Sequence, residues 1–82
     1  MLSRERALVK AYVLITAEVG TSPRIQDELR RAGIPQVDSV AGTYDLVAVL
    51  ESDDPKAIGE LVMGKIQKTD GVLSTVTLMQ IG

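Results

Sequence analysis

The same local grammar occurs twice in this chain: an apolar, β-branched run, a small polar residue and a proline, an amphipathic stretch, then a second run. Tyr12 and Tyr44, Leu14 and Leu46, Pro23 and Pro55, and Leu29 and Leu61 are each 32 positions apart. Two strand–helix–strand units within 82 residues leave few topologies open, because so short a chain has only one core to build. The duplication predicts an α+β fold of the ferredoxin-like βαββαβ kind. It comprises a four-stranded antiparallel sheet with two helices on one face.

Local signals place the elements. Lys10 to Glu18 is rich in Val, Ile, Tyr and Thr and reads as the first strand. Ser22 followed by Pro23 predicts a helix start, with the serine as cap and Ile25, Leu29 and Ala32 on the inner face. Gly33 can supply a left-handed stop, and Pro35 prevents continuation. Val37 to Ala41 is a short second strand, Gly42 to Asp45 a turn, and Leu46 to Glu51 a third strand. Asp54 and Pro55 open a second helix reaching about Lys68, with Ile58, Leu61, Val62 and Ile66 inward. Asp70–Gly71 then turns the chain into a fourth strand, Val72 to Ile81. Residues 1–9 read as an N-terminal arm and residues 10–82 as the domain.

Helices on one face leave the other face of the sheet to be explained. Water there would select polar side chains at alternate positions. Instead Tyr12 and Leu14 oppose Ala11, Val13 and Ile15; Val47 and Val49 oppose Leu46, Ala48 and Leu50. Val76 and Leu78 likewise oppose Thr75, Thr77, Met79 and Ile81. An uncovered apolar face of roughly 500 Å² exceeds what soluble monomers normally tolerate. Burying it on two subunits would release on the order of 25 kcal/mol before association costs. The pattern therefore predicts a homodimer; the alternative is an uncovered sheet of small residues.

Composition removes most chemistry. There is no cysteine or histidine, so disulfides, thiolate or imidazole metal sites and imidazole acid–base catalysis are excluded. No cofactor is expected. A net charge of −2 argues against direct nucleic-acid binding, which needs concentrated positive charge. Tyr12 is the only aromatic within an expected strand, too few for base stacking. No apolar run approaches the roughly 18 residues of a membrane span, and Met1 to Lys10 lacks a signal-peptide core, so a cytoplasmic location is expected. Asp53 and Asp54 read as capping residues, and Asp27 and Glu28 as a solvated helix face. Arg4, Arg6 and Lys10 read as a solvated arm rather than a phosphate site. No catalytic residue is expected.

The stretch Gly42-Thr43-Tyr44-Asp45 carries the remaining signal. Glycine permits close backbone approach, exposed N–H groups can meet a carboxylate, and Asp45 can accept from an ammonium. Ser74, Thr75 and Thr77 add hydroxyls. The same residues also fit a plain hairpin turn with an Asx hydrogen bond at Asp45, and threonines chosen for β propensity.

Val40-Ala41-Gly42-Thr43-Tyr44-Asp45-Leu46, the acidic residue–proline helix start, Lys65-Ile66-Gln67 and Gly71-Val72-Leu73-Ser74-Thr75-Val76-Thr77 closely resemble the effector-binding (RAM) domain of the leucine-responsive/asparagine-operon (Lrp/AsnC) regulator family. The resemblance implies a dimeric α+β barrel made by facing sheets. It also implies assembly into higher oligomers, often octamers, with an amino-acid effector held between dimers. On that resemblance Gly42, Thr43, Tyr44, Asp45, Thr75 and Thr77 line the effector site. The family's regulators carry a helix-turn-helix, and nothing before Lys10 could form one. The chain thus resembles the stand-alone members, which act on transcription through full-length relatives rather than on DNA. A chain opening at Met1 favours that reading over a truncated one.

Overall fold

A computed structural model describes residues 8–82. Its elements run β1 (Val9–Ala17), α1 (Ser22–Arg31), β2 (Gln36–Ser39), β3 (Leu46–Ser52), α2 (Pro55–Leu61) with a π-turn (Val62–Ile66), and β4 (Val72–Met79). The sheet order is β2-β3-β1-β4, and every neighbouring pair is antiparallel. This is the expected ferredoxin-like α+β arrangement. Arg4 and Arg6 lie outside the described residues.

The core forms where both helices meet one face of the sheet. Ala11, Val13 and Ile15 from β1, and Leu46, Ala48 and Leu50 from β3, are fully buried against Ile25, Leu29, Ile58, Val62 and Ile66. Alternate side chains of a strand share a face, so strict alternation in β1 fixes its register against the helices. Ala32 is exposed, contrary to expectation, and Ile34 is buried instead. The reason is the helix stop: Gly33 takes φ +97, and the N–H of Ile34 returns to the carbonyl of Leu29 at 3.1 Å. That closing bond swings Ile34 under the helix.

The two halves are related by 33 positions rather than the 32 of the matching identities. Val13 and Leu46 (46 − 13 = 33), Ile25 and Ile58, and Leu29 and Val62 are the buried equivalents. The caps agree, since α1 is capped at Thr21 and α2 at Asp54. Ser22 is therefore not the cap but the first helical residue. Thr21 makes no side-chain cap bond either, because its hydroxyl donates back to the Glu18 carbonyl at 2.7 Å. Asp54 does cap, accepting the Lys56 N–H at 3.0 Å.

Several boundaries differ from expectation, among them β1, which runs Val9–Ala17, and β3, which reaches Ser52. β2 ends at Ser39, although the Val40 N–H still donates to the Asp45 carbonyl at 3.0 Å, in register with the β2–β3 ladder. β4 ends at Met79, although Gln80 still donates its N–H to the Lys10 carbonyl at 2.8 Å. The second helix widens into the π-turn, where the Gln67 N–H bonds back to Val62 at 2.8 Å.

Away from the helices, paired residues form rows across the sheet. One row is Gln36–Val49–Tyr12–Leu78 and the next is Asp38–Val47–Leu14–Val76. Their inner members are apolar. Glu51 and Lys10 frame one end of this stripe and Thr16 with Ser74 the other. Leu78 and Val76 remain 48% and 40% exposed while Val49 in the same stripe is buried, so the expected apolar second face is present and is open in the single chain mainly on its β4 side.

Candidate functional site

The Gly42–Asp45 stretch is a loop projecting from the β2–β3 end of the sheet. Gly42 sits at φ +132, in a region that side chains with a Cβ rarely adopt, and a Cβ there would meet nothing within 4 Å. Glycine is thus required by backbone conformation, and the open side is free for close approach. Thr43 is exposed and Tyr44 half-buried. Asp45 is tied inward at two points: its N–H donates to the Ile15 carbonyl at 2.9 Å, and its Oδ2 accepts the Ala17 N–H at 2.8 Å. The Asp45 side chain thus makes its bond not within the turn, as the Asx alternative has it, but to the end of the neighbouring strand β1. By strand parity the Ala17 N–H faces β3, one step past the last β1–β3 pair, Ile15 with Leu46, so the carboxylate satisfies a backbone donor beyond the end of that ladder.

Thr75 and Thr77 lie elsewhere. Thr75 pairs with Ile15, which pairs with Leu46, so two strand spacings, about 10 Å, separate Thr75 from the start of β3. Both threonines share the helix-side face of edge strand β4. The Thr75 hydroxyl accepts a hydrogen bond from Gln67 Nε2 at 3.0 Å.

Two clefts flank that pair. A polar one of about 370 Å³ is lined by Gln67, Val72, Leu73, Ser74 and Thr75. A largely apolar one of about 470 Å³ lies between α2 and β4, where Ile58, Val62, Met63 and Met79 surround Thr77. Gln67 borders both. No residue of the Gly42–Asp45 loop lines either cleft, so one chain does not bring the six expected residues together.

Gln67 is the residue that reading the sequence missed. It lies inside the Lys65-Ile66-Gln67 run, yet a 3.6-residue period cannot say where it points. The π-turn adds a residue to the preceding turn and so changes the facing of everything after it. Gly64 sits within this π-turn, and Gly59 lines the apolar cleft. A Cβ at either would meet nothing within 4 Å, so close packing inside the chain explains neither.

Among the described residues, no polar or charged side chain is fully buried, and no group of three or more His, Cys, Asp or Glu could hold a metal ion. No described helix is long and apolar enough to cross a membrane.

No protein-family model and no curated protein sequence matches the chain. Solved structures do. FFRP-DM1 superposes with a TM-score of 0.82 at 26% identity, covering 89% of this chain and 99% of that one. Escherichia coli AsnC gives 0.82 at 20% identity over 90% of this chain and 51% of its own. The Neisseria meningitidis transcriptional regulator NMB0573, solved as an L-Met complex, gives 0.70 at 11% identity over 90% of this chain and 50% of its own. The chain spans about half the length of these two regulators and nearly all of FFRP-DM1.

Proposed function

We propose that this chain, whose fold is that of an Lrp/AsnC-type effector-binding (RAM) domain, is a non-catalytic sensing and assembly module. It binds an amino acid where copies meet. The single observation that carries this reading is the separation of the two half-sites. The Gly42–Asp45 loop offers backbone N–H groups and a carboxylate, and the Gln67–Thr75 pair lies about two strands away. Neither half encloses a ligand. A loop from one copy laid against the β4 cleft of another would supply donors for a carboxylate together with polar side chains for an ammonium.

In this reading the apolar stripe of the sheet makes the homodimer and the dimers assemble further, as an octamer in the family's usual form. The L-Met held by NMB0573 supports an amino acid as the effector class. The module acts in the cytoplasm on transcription through full-length relatives, without contacting DNA itself. A purely structural oligomerisation domain is the second reading. It is favoured by one observation: the Asp45 carboxylate is already engaged by Ala17.

Thermal-shift measurements against the common amino acids separate the two. A ligand at 100 times its Kd adds about 2.7 kcal/mol, which for a domain this small is a rise of well over ~5 °C. If no amino acid at millimolar concentration moves the transition, the sensing half of the proposal fails and the structural reading stands.

A further inference from the structure

The two clefts that meet at Gln67 differ in chemistry, and no charged residue lines either. The polar one holds Ser74 and Thr75 near the start of β4. The apolar one has the buried Ile58 and Val62 as its floor and the exposed Met63 and Met79 on its rim. Thr75 borders the first and Thr77 the second. Two residues of strand separate them, about 7 Å, a distance comparable to the reach of a leucine or methionine side chain.

Helix geometry keeps the apolar cleft open. Each residue of an α-helix turns about 100°, so Gly59 stands one step round from the buried Ile58, and it lines the cleft. A Cβ there would meet nothing within 4 Å, and Gly59 is not among the positive-φ glycines. Neither packing nor backbone conformation calls for glycine; what glycine leaves at this position is space. Gln67 reaches the same flank only through the π-turn. In an unbroken α-helix it would stand about 180° from Ile58, facing away from the sheet. The residue added by the π-turn takes back about 100° and sets Gln67 about 80° round, where its amide bonds Thr75.

We propose that the α2–β4 cleft is the side-chain pocket of the effector site, and that the effector is an amino acid with an apolar side chain of leucine or methionine size. This inference rests on the amino-acid reading above and narrows it. The effector's charged groups stay at the polar cleft, beside Gln67, Ser74 and Thr75, under the Gly42–Asp45 loop of a second copy. Its side chain passes Gln67 and covers Ile58 and Val62. At about 470 Å³ the cleft falls in the range of small-molecule sites, and the two flexible methionines let its rim close on the ligand. A charged side chain would lose water there and find no counter-charge. Gly59 sets the specificity by what it leaves unfilled.

Thermal-shift and calorimetric titrations of the whole chain test this. L-leucine and L-methionine at millimolar concentration should raise the transition; L-aspartate, L-glutamate, L-lysine and L-arginine should not. Gly59→Leu fills the cleft from the helix side. It should raise the Kd for L-methionine about 10- to 100-fold, the cost of leaving one apolar side chain without its pocket. Should that variant fail to fold, Met63→Glu alters a rim position that is 65% exposed and should weaken L-methionine at least ~10-fold. A response to charged or amide side chains in place of the apolar pair would keep the sensing reading and overturn this one. An unchanged Kd for L-methionine in the folded variants would do the same. No response to any amino acid would remove both together.

Discussion

The Asp45 carboxylate accepts the backbone N–H of Ala17 at 2.8 Å, across 28 residues of chain. One side chain thereby joins the loop before β3 to the irregular end of β1. The residue with the best claim to hold an effector's ammonium is also a structural tie.

Asp45→Ala and Asp45→Asn separate these roles. Alanine leaves the part-buried Ala17 donor without its partner and should cost about 1–3 kcal/mol. Asparagine can still accept that bond and should stay within about 1 kcal/mol of wild type. If the carboxylate holds an ammonium, both variants lose the amino-acid thermal shift. An intact shift in Asp45→Asn would remove the charge from the site.

Gln67→Leu keeps the bulk beside Thr75 and deletes the 3.0 Å bond. The stability cost should be small, about 0.5–1.5 kcal/mol, because the pair is exposed. The apparent Kd for the effector should rise ~10-fold if the pair contributes one hydrogen bond of ~1.4 kcal/mol. Titration of the variant with the responding amino acid measures this, and an unchanged Kd would detach Gln67 from the site.

Leu14→Lys places a charge in the middle of the apolar stripe, in the row with Val47 and Val76. Two copies facing through that stripe would bury opposed ammonium groups, so the face-to-face dimer should dissociate at micromolar concentration. Sedimentation equilibrium reads this directly. Retention of the wild-type mass would show that the stripe is not the dimer interface.

Gly71→Ala and Gly42→Ala probe two positive-φ glycines with different surroundings. At Gly71 (φ +98) a Cβ would stand 3.0 Å from Arg24 Nη2 and 3.2 Å from the Thr21 side chain. At Gly42 it meets open space. Both pay the backbone strain of about 1–2 kcal/mol, and only Gly71→Ala should also disturb the Arg24 bond to the Asp70 carbonyl at 2.8 Å. Urea titration should rank Gly71→Ala below Gly42→Ala; equal stabilities would show that Arg24 yields freely.

Much of the site was out of reach of the sequence for one reason: facing. Thr75 and Thr77 are named by pattern, yet the strand order that puts β1 between them and the Gly42–Asp45 loop is a tertiary fact. Gln67 is hidden by the π-turn, which no periodicity announces. Asp45 reads as a turn residue because its partner, Ala17, is remote in sequence.

What the chain determined by itself was the order of elements, the split βαβ class and the apolar character of both sheet faces. Those follow from local propensity and alternation, which act within a few residues. Only the tertiary structure decided that the halves correspond at 33 positions, that Ile34 rather than Ala32 enters the core, and that the polar groups fall into two separated half-sites. These are outcomes of packing and long-range hydrogen bonding, where the partner of a residue is chosen by the fold and not by its neighbours in the chain.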